Sequence, residues 1–157
     1  MLRDVLIIFG EGGHSEQMKR LMHRLDIGAD RCVLIVDTPG LGEGLGGKEW
    51  DVGSLRSKHD NSGLNCVTAP IRGLAAALAV AWQDKIQTVI STGPGMCIIP
   101  SLLFRLLGRE VIHLETWSRF DSRSFTGRVM YRVATKFYVQ NASLMSLYRN
   151  AIYAGRL

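Results

Sequence analysis

The sequence predicts a single α/β domain, residues 1–157, built around a doubly wound parallel sheet of about six strands. Short, unbroken apolar runs recur along the chain, and each is long enough for a strand that is buried on both faces. Segments with apolar residues at helical spacing separate these runs, and glycine-rich or polar turns connect the two kinds of segment. Strands that alternate with helices in this way are typical of a parallel sheet with helices on both faces.

The first strand, turn and helix contain the most informative turn. Residues 5–9 are an apolar run, and residues 18–25 carry an apolar stripe at helical spacing. Between them lie Gly12, Gly13 and His14. Glycines let backbone N–H groups approach a ligand closely, and the start of a helix favours an anion. The turn lacks the G-x-G-x-x-G spacing of dinucleotide-binding proteins, so it predicts an anion site of another kind or a simple tight turn.

The middle of the chain is less regular. Residues 32–36 form the second apolar run. The stretch from about residue 38 to residue 65 is rich in glycine, and a connection of that length in a compact domain is usually functional or disordered. We therefore expect a long flexible loop at 38–65. Residues 65–69 predict a short third strand that ends at Pro70, and residues 72–85 predict a helix.

The fourth strand is predicted at residues 88–91, and a second glycine turn with Gly93 and Gly95 follows it. The next helix has Pro100 in its first turn and reaches Leu107. It is apolar almost all round, which predicts either deep burial or contact with an apolar environment.

Residues 111–114 predict the fifth strand, and the polar turn 115–119 follows at its carboxyl end. A helix is expected from Ser124. Residues 137–139 predict the sixth strand, and the remaining residues predict a final helix with a short tail.

A row of basic residues, Arg128, Arg132 and Lys136, follows the four-residue spacing of the predicted helix that starts near Ser124. Such a row is most often a solvated face. Beside an apolar stripe it also fits a helix that lies on the surface of an anionic membrane. The net charge of +5 agrees with attraction to phosphates or anionic head groups, although it also aids solubility.

No run of about 20 apolar residues could span a bilayer, and no secretory signal is evident. The three cysteines, Cys32, Cys66 and Cys97, are widely spaced, and no pair has the spacing of metal ligands. We expect buried free thiols in a reducing compartment and no metal site.

Three of the predicted turns belong to one edge of the sheet. The turns at 10–14, 93–95 and 115–119 each follow a strand, and the carboxyl ends of parallel strands lie together. In doubly wound sheets ligands bind at that edge, close to the point where the strand order reverses. The sequence therefore predicts a ligand site formed by these three turns.

The turns also resemble one family in sequence and spacing. The resemblance rests on Gly12-Gly13-His14, on Ser-Thr-Gly-Pro-Gly at 91–95, on Glu-Thr-Trp-Ser-Arg at 115–119, on Phe-Thr-Gly at 125–127 and on Tyr-Val-Gln at 138–140. Together they resemble the acceptor-side subunit of the split UDP-GlcNAc transferase of N-glycan assembly, the asparagine-linked glycosylation subunit fourteen family. They look equally like its bacterial PssD-type relatives in polysaccharide biosynthesis. The resemblance covers nearly the whole chain.

The resemblance implies a Rossmann-like domain equivalent to the N-terminal half of a GT-B glycosyltransferase. Such a subunit would bind a polyprenyl-diphosphate-linked glycan acceptor at the cytoplasmic face of the membrane, as a peripheral protein. A separate PssE-like catalytic subunit would bind the UDP-sugar donor, UDP-GlcNAc or UDP-glucuronate in type. The chain would then need no cofactor and be inactive alone, and no nucleic acid is expected. We expect no N-terminal membrane anchor of the kind that eukaryotic members carry, and this expectation favours a bacterial relative.

Under this resemblance His14 and Glu115 are the candidate catalytic residues. The unperturbed pKa of a histidine lies near working pH, so His14 suits a general base, and Glu115 suits a base or a ligand of the acceptor hydroxyl. The residues expected to bind the acceptor and its diphosphate are Gly12, Gly13, Ser15, Thr92, Gly93, Gly95 and Arg119.

Plainer interpretations stay open for each of these residues. His14 also fits a helix cap or a packing residue, Glu115 a partner for Arg119 or Arg123, and the glycines a simple turn. Two other functions stay open as well. One is a self-sufficient nucleotide-binding enzyme, which Asp37 after the second strand favours and the missing glycine fingerprint opposes. The other is a membrane-recruitment scaffold that takes no part in chemistry.

Overall fold

A computed structural model describes residues 3–53 and 65–157 of the chain. Within these residues seven parallel strands form one sheet in the order β3-β2-β1-β4-β5-β6-β7. The strands are β1 Val5–Phe9, β2 Cys32–Val36, β3 Lys48–Asp51, β4 Thr88–Ser91, β5 Glu110–Leu114, β6 Lys136–Val139 and β7 Ile152–Tyr153. The helices are α1 Gly13–Leu25, α2 Asn65–Gln83, α3 Ile98–Leu106 and α4 Phe125–Val133. Short 3₁₀ turns occupy Ala29–Arg31, Gly95–Cys97 and Ala142–Ser146.

The two faces of the sheet carry separate apolar cores because side chains alternate along each strand. Leu6 and Ile8 of β1 belong to the core beneath α2, α3 and α4. Ile7 and Phe9 belong to the core that α1 covers with Met18 and Met22. Strands β1 and β2 are therefore apolar throughout, which is why short unbroken apolar runs identified them in the sequence.

The strand order reverses between β1 and β4. Helix α1 leads from β1 to β2 on one side, whereas α2 crosses from β3 to β4 on the other. The turns that follow β1 and β4 are consequently neighbours, and the main-chain N–H of Thr92 donates to the carbonyl of Ile8 at 3.2 Å. This is the place where doubly wound sheets bind ligands.

The expected strand at 65–69 is wrong, because these residues begin α2, which continues through Pro70 to Gln83. The β-branched residues and the proline favour a strand end by local preference. Tertiary packing overrides that preference, since Ala69, Ala76 and Ala77 lie buried against the sheet from one face of the helix.

The expected long loop at 38–65 contains a strand that the sequence did not reveal. Strand β3 pairs in parallel with β2. The carboxylate of Glu49 in β3 accepts hydrogen bonds from the N–H groups of Gly40 and Gly42, at 2.7 and 2.8 Å. Residues 38–53 are thus tied to the sheet edge, and the rest of the expected loop, 54–64, lies outside the described residues.

The chain end also differs from expectation. In place of a final helix there are a 3₁₀ turn, Ala142–Ser146, and strand β7, which pairs with β6. Helix α4 ends at Val133, so Lys136 is not part of its basic row. Lys136 is the first residue of β6, and its ammonium pairs with the carboxylate of Glu110 at 2.7 Å. The row therefore reduces to Arg128 and Arg132.

Among the residues that the structure describes, no helix is long and apolar enough to cross a membrane. Cys32 and Cys97 are buried free thiols, as expected. The side chain of Cys66 lies outside the described part.

Candidate functional site

An open cleft of about 810 Å³ lies at the carboxyl ends of the central strands. It brings together residues of the three predicted turns: His14 after β1, Gly93, Pro94 and Gly95 after β4, and Thr116, Ser118 and Arg119 after β5. The start of α4 completes it with Ser124, Phe125 and Thr126. The predicted meeting of the three turns is therefore confirmed, and among the residues that the structure describes no acidic side chain lines the cleft.

The imidazole of His14 packs directly against the backbone of Gly93. A Cβ atom added at Gly93 would lie 2.4 Å from Cε1 and 2.7 Å from Nδ1 of His14, so only glycine leaves room for the ring. Gly93 also has φ 73°, a conformation that side chains disfavour. Thr92 is buried and fixes the same contact, because its hydroxyl donates to the carbonyl of His14 at 3.1 Å.

His14 has unused hydrogen-bonding capacity. Its Nδ1 atom is buried and has no hydrogen-bond partner among the described residues. Leaving a buried polar atom unpaired costs about 1–3 kcal/mol, so such an atom calls for an explanation. Burial lowers the pKa of the imidazole below its ordinary 6.5, so the ring is neutral at neutral pH. A neutral ring whose Nδ1 is enclosed leaves Nε2 as the atom that a ligand in the cleft could reach.

The glycines before His14 shape the start of α1. Gly12 precedes the helix with φ 73° and supplies no side-chain cap, so the first N–H groups of α1 are left for other partners. A Cβ at Gly13 would lie 3.9 Å from Nε1 of Trp117, which places the α1 start beside the turn after β5. Ser15 lies on the buried side of α1 and does not line the cleft.

Arg119 is exposed and lines the cleft, and its guanidinium donates to the hydroxyl of Ser122 at 3.3 Å. The amide of Asn141 holds the turn by donating to the carbonyls of Trp117 and Arg119. Arg119 is thus an exposed positive charge on a fixed turn at the edge of the cleft.

The structure does not place Glu115 where a catalytic base would act. Its side chain is fully buried, and its carboxylate accepts hydrogen bonds from the hydroxyls of Ser124 and Tyr148 and from the N–H of Thr116, at 3.0 to 3.1 Å. The alternative partners Arg119 and Arg123 do not contact it in any described hydrogen bond or ion pair. Because a base must reach its substrate, Glu115 is better described as a positioning residue of the cleft wall.

The Glu115 network explains the glycine of the Phe-Thr-Gly motif at 125–127. Ser124 caps α4 by accepting a hydrogen bond from the N–H of Gly127 at 2.7 Å while its hydroxyl donates to Glu115. A Cβ at Gly127 would lie 1.8 Å from Oε2 of Glu115, so this position requires glycine. Burial, and then the nearby Glu115, raise the pKa of the Tyr148 hydroxyl, which keeps it protonated as a donor.

Among the buried polar residues, two glutamines were missed at the sequence level. Gln17 and Gln140 both donate to the carbonyl of Glu115, at 3.3 and 3.1 Å. His113 is fully buried beside Ser91, with 2.8 Å between Nδ1 and the serine oxygen. Only the motif Tyr-Val-Gln at 138–140 gave a signal for any of them, because buried partners distant in the chain leave no local pattern.

A second, apolar cavity of about 240 Å³ lies beside α1. It is bounded by Leu21, Ile90, Ile112 and Tyr138 and by the C-terminal residues 154–157. It contains none of the predicted site residues. Among the described residues no cluster of histidine, cysteine and acidic side chains could hold a metal ion.

Comparison with known proteins identifies the family. A family model described as "Oligosaccharide biosynthesis protein Alg14 like" matches residues 56–157, about two thirds of the chain. The chain belongs to the Alg14-like family. This agrees with the resemblance carried by the turns.

Curated relatives of the Alg14-like family match almost the whole chain. The UDP-N-acetylglucosamine transferase subunit ALG14 of Homo sapiens is 22% identical over 98% of this chain and 82% of its own length. The same subunit of Eremothecium gossypii is 28% identical over 99% of this chain and 80% of its own length. The similarity to these relatives therefore also includes the residues before position 56, where the match to the family model begins.

Solved structures confirm the fold. The chain superposes on UDP-GlcNAc 2-epimerase of Methanocaldococcus jannaschii with a TM-score of 0.69 and 13% identity, and on MurG of Acinetobacter baumannii with 0.62 and 15%. It is covered almost completely in both, but it spans only 45% and 44% of those chains. The expected Rossmann-like domain, equivalent to the N-terminal half of a GT-B enzyme, is thus confirmed.

Proposed function

We propose that this chain is the acceptor-binding subunit of a two-component GT-B glycosyltransferase. The complex would add a sugar from a UDP-sugar to a polyprenyl-diphosphate-linked glycan at the cytoplasmic face of a membrane. Membership of the Alg14-like family supports the proposal, and so do the relatives named as subunits of a UDP-N-acetylglucosamine transferase.

The names of the relatives support a second component, because each is called a subunit of a transferase. The described domain holds a single sheet, which would supply one wall of a cleft between two domains. A donor-binding, PssE-like partner would supply the other wall together with the UDP-sugar. This chain would then require no cofactor of its own.

The cleft suits the diphosphate of the acceptor. The Gly93–Gly95 turn, the start of α4 and the guanidinium of Arg119 all face it. Backbone N–H groups at turns and helix starts, together with an arginine, are the donors that proteins use for phosphate groups. Because no acidic residue lines the described part of the cleft, no carboxylate there would repel the negatively charged diphosphate.

The observation that carries the proposal is the neutral His14 packed on Gly93 at this cleft. In the proposed step Nε2 of His14 takes the proton of the acceptor hydroxyl. The hydroxyl oxygen forms a bond to the anomeric carbon of the donor sugar as the bond from that carbon to UDP breaks. The electron pair of the broken bond leaves with UDP, and the proton stays on the imidazole.

Reconstitution with a short-chain, water-soluble diphosphate-linked sugar tests the proposal without a membrane. The isolated chain should transfer no sugar and gain activity when a donor-binding subunit is added. In the complex, Arg119→Ala should raise the KM for the acceptor about tenfold or more, because a charge-assisted contact to phosphate is lost. Arg109→Ala is the matched control, since Arg109 bonds Gln87 away from the cleft.

Two results would contradict the proposal. Robust transfer by the isolated chain would show that it needs no second component. Unchanged turnover after His14→Ala, with the complex intact, would instead favour a recruitment scaffold.

A further inference from the structure

The outer face of helix α2 is apolar, and its inner face is built from small residues. The residues buried toward the sheet are Ala69, Gly73, Ala76, Ala77 and Val80. The large apolar residues point outward at spacings of three and four residues: Ile71, Leu74, Leu78 and Trp82. This arrangement reverses the usual amphipathic helix, in which large apolar side chains face the core.

The neighbouring helices continue this apolar surface. Helix α2 packs beside α3, and α3 packs beside α4, on the same face of the sheet. Leu106 of α3 is 78% exposed and Phe125 of α4 is 77% exposed, while Trp82 of α2 is 92% exposed. Large exposed apolar patches mark binding surfaces, and a single scattered leucine does not. Helix α1, on the opposite face, exposes only Leu25 among its large apolar residues.

The charges on this surface all have one sign. Helices α2, α3 and α4 contain no acidic residue, and each carries exposed arginine. The four exposed arginines are Arg72, Arg105, Arg128 and Arg132. Tryptophan and leucine flanked by arginine are what a surface presents to the head-group region of an anionic bilayer.

We propose that the outer face of α2, α3 and α4 is a docking surface for an anionic phospholipid bilayer. Its apolar side chains would enter the boundary between head groups and acyl chains, and its arginines would meet the lipid phosphates. Lys136 is not part of this surface, because it is the first residue of β6 and its ammonium pairs with Glu110 of β5.

The surface runs into the candidate site. Phe125 belongs both to the exposed apolar face and to the lining of the cleft. A lipid-linked acceptor held in the bilayer would thus present its diphosphate beside Arg119. This link between surface and acceptor rests on the proposed function. The binding test below uses vesicles without acceptor, so that either proposal can fail alone.

Vesicle sedimentation tests the charge component. The full chain should bind vesicles of equimolar phosphatidylcholine and phosphatidylglycerol, and binding should weaken in high salt because exposed charges are screened. Arg105→Gln combined with Arg132→Gln should weaken binding about fivefold for each arginine. Lys19→Gln combined with Arg24→Gln removes the same charge from α1 and should leave binding unchanged. An equal loss in both double variants would overturn the proposed face and leave only net charge.

A second pair of variants tests the apolar component. Leu78→Gln combined with Trp82→Gln should abolish binding, whereas Leu25→Gln combined with Tyr153→Gln should not. All four residues are exposed, so the fold should survive, and circular dichroism checks this. Lipids brominated on their acyl chains should quench the fluorescence of Trp82, and Trp82→Phe should bind equally while losing that quenching.

Three outcomes would overturn the proposal. The first is equal binding to vesicles of pure phosphatidylcholine, and the second is no binding to any vesicle. The third is self-association in sedimentation velocity through Leu78 and Trp82 without lipid binding, which would assign the face to a second copy of the chain.

Discussion

His14 and Glu115 occupy comparable places in the fold and have opposite surroundings. Each lies just beyond the carboxyl end of a central strand, and each carries a side chain that could accept a proton. His14 lines an open cleft and keeps a buried nitrogen without a partner. Glu115 is enclosed, and three donors use its carboxylate. The comparison shows that unused bonding capacity beside a cleft distinguishes a candidate for chemistry from a polar residue that supports the fold.

The Glu115 network serves the cleft indirectly. It joins the end of β5 to the start of α4 and to Tyr148, and Ser124 and Thr116 in that network also line the cleft. Buried polar networks with satisfied partners hold neighbouring groups in a single geometry. Glu115 therefore fixes the wall that Arg119 and Phe125 extend, whereas His14 lines the same cleft without a described partner for its Nδ1 atom.

The largest expected effect is on turnover. In the reconstituted complex His14→Ala should lower kcat by about 10² to 10⁴, the range that a positioned acid or base contributes. The free energy of unfolding should change little, since Nδ1 has no described partner to lose. His23→Ala, on the exposed side of α1, is the control and should keep full activity.

The pH profile of the same complex sharpens this prediction. Because burial lowers the pKa of His14, the base should stay neutral and active as pH falls below 6.5, and activity should drop only at lower pH. A drop centred at or above 6.5 would contradict a buried His14 as the base.

The second effect is on stability. Glu115→Ala should lower the free energy of unfolding by roughly 3 kcal/mol, because it leaves the buried hydroxyls of Ser124 and Tyr148 unpaired. Glu115→Gln keeps the shape and an acceptor oxygen and should lose about half as much. Urea unfolding measures both. If folded Glu115→Gln loses turnover as completely as His14→Ala does, the positioning role is wrong and Glu115 reaches the substrate.

The third prediction compares two helical glycines. Gly127→Ala should destabilise the chain by roughly 2 kcal/mol, because its Cβ would lie 1.8 Å from the Glu115 carboxylate. Gly73→Ala in α2 meets nothing within 4 Å and should instead stabilise by about 0.5–1 kcal/mol, the usual gain for alanine in a helix. Thermal unfolding of the two variants shows whether each change raises or lowers stability. A stabilising Gly127→Ala would show that the Glu115 network can rearrange to accept a Cβ atom.

The last prediction concerns the pH dependence of stability. Burial lowers the pKa of His113 from 6.5 to about 3. Between these values the unfolded chain binds a proton that the folded chain does not, so stability falls as pH falls below 6.5. The loss should be roughly 1.4 kcal/mol per pH unit and should level off below about pH 3. Urea unfolding at several pH values should show this slope in the native chain and a smaller one in His113→Gln.

Much of the fold could be predicted because central strands of a parallel sheet are buried on both faces. The runs at 5–9, 32–36 and 88–91 coincide with β1, β2 and β4. Edge elements were harder to predict. Strand β3 is only partly buried and strand β7 has two exposed residues, so neither has an apolar run to mark it.

The meeting of the three turns could be predicted from the sequence, whereas the burial of Glu115 could not. The sequence assigned four turn residues to one edge of the sheet, because the strand ends of a parallel sheet lie together. The structure brings these residues into one cleft: His14, Gly93, Gly95 and Arg119. Burial could not be read from the turn that holds Glu115. Its partners Ser124 and Tyr148 come from later segments, and their approach depends on how α4 and the chain end pack.

The sequence by itself determined the parallel sheet, its polar edge and the family, because these depend on local apolar runs and short motifs. Only the tertiary structure decided that residues 65–69 are helical, that Lys136 leaves the basic row and that Glu115 is enclosed. It also decided that the large side chains of α2 face outward, since periodicity defines an apolar stripe but not the surface it meets. Each of these outcomes depends on contacts between segments far apart in the chain, and such contacts override local preference.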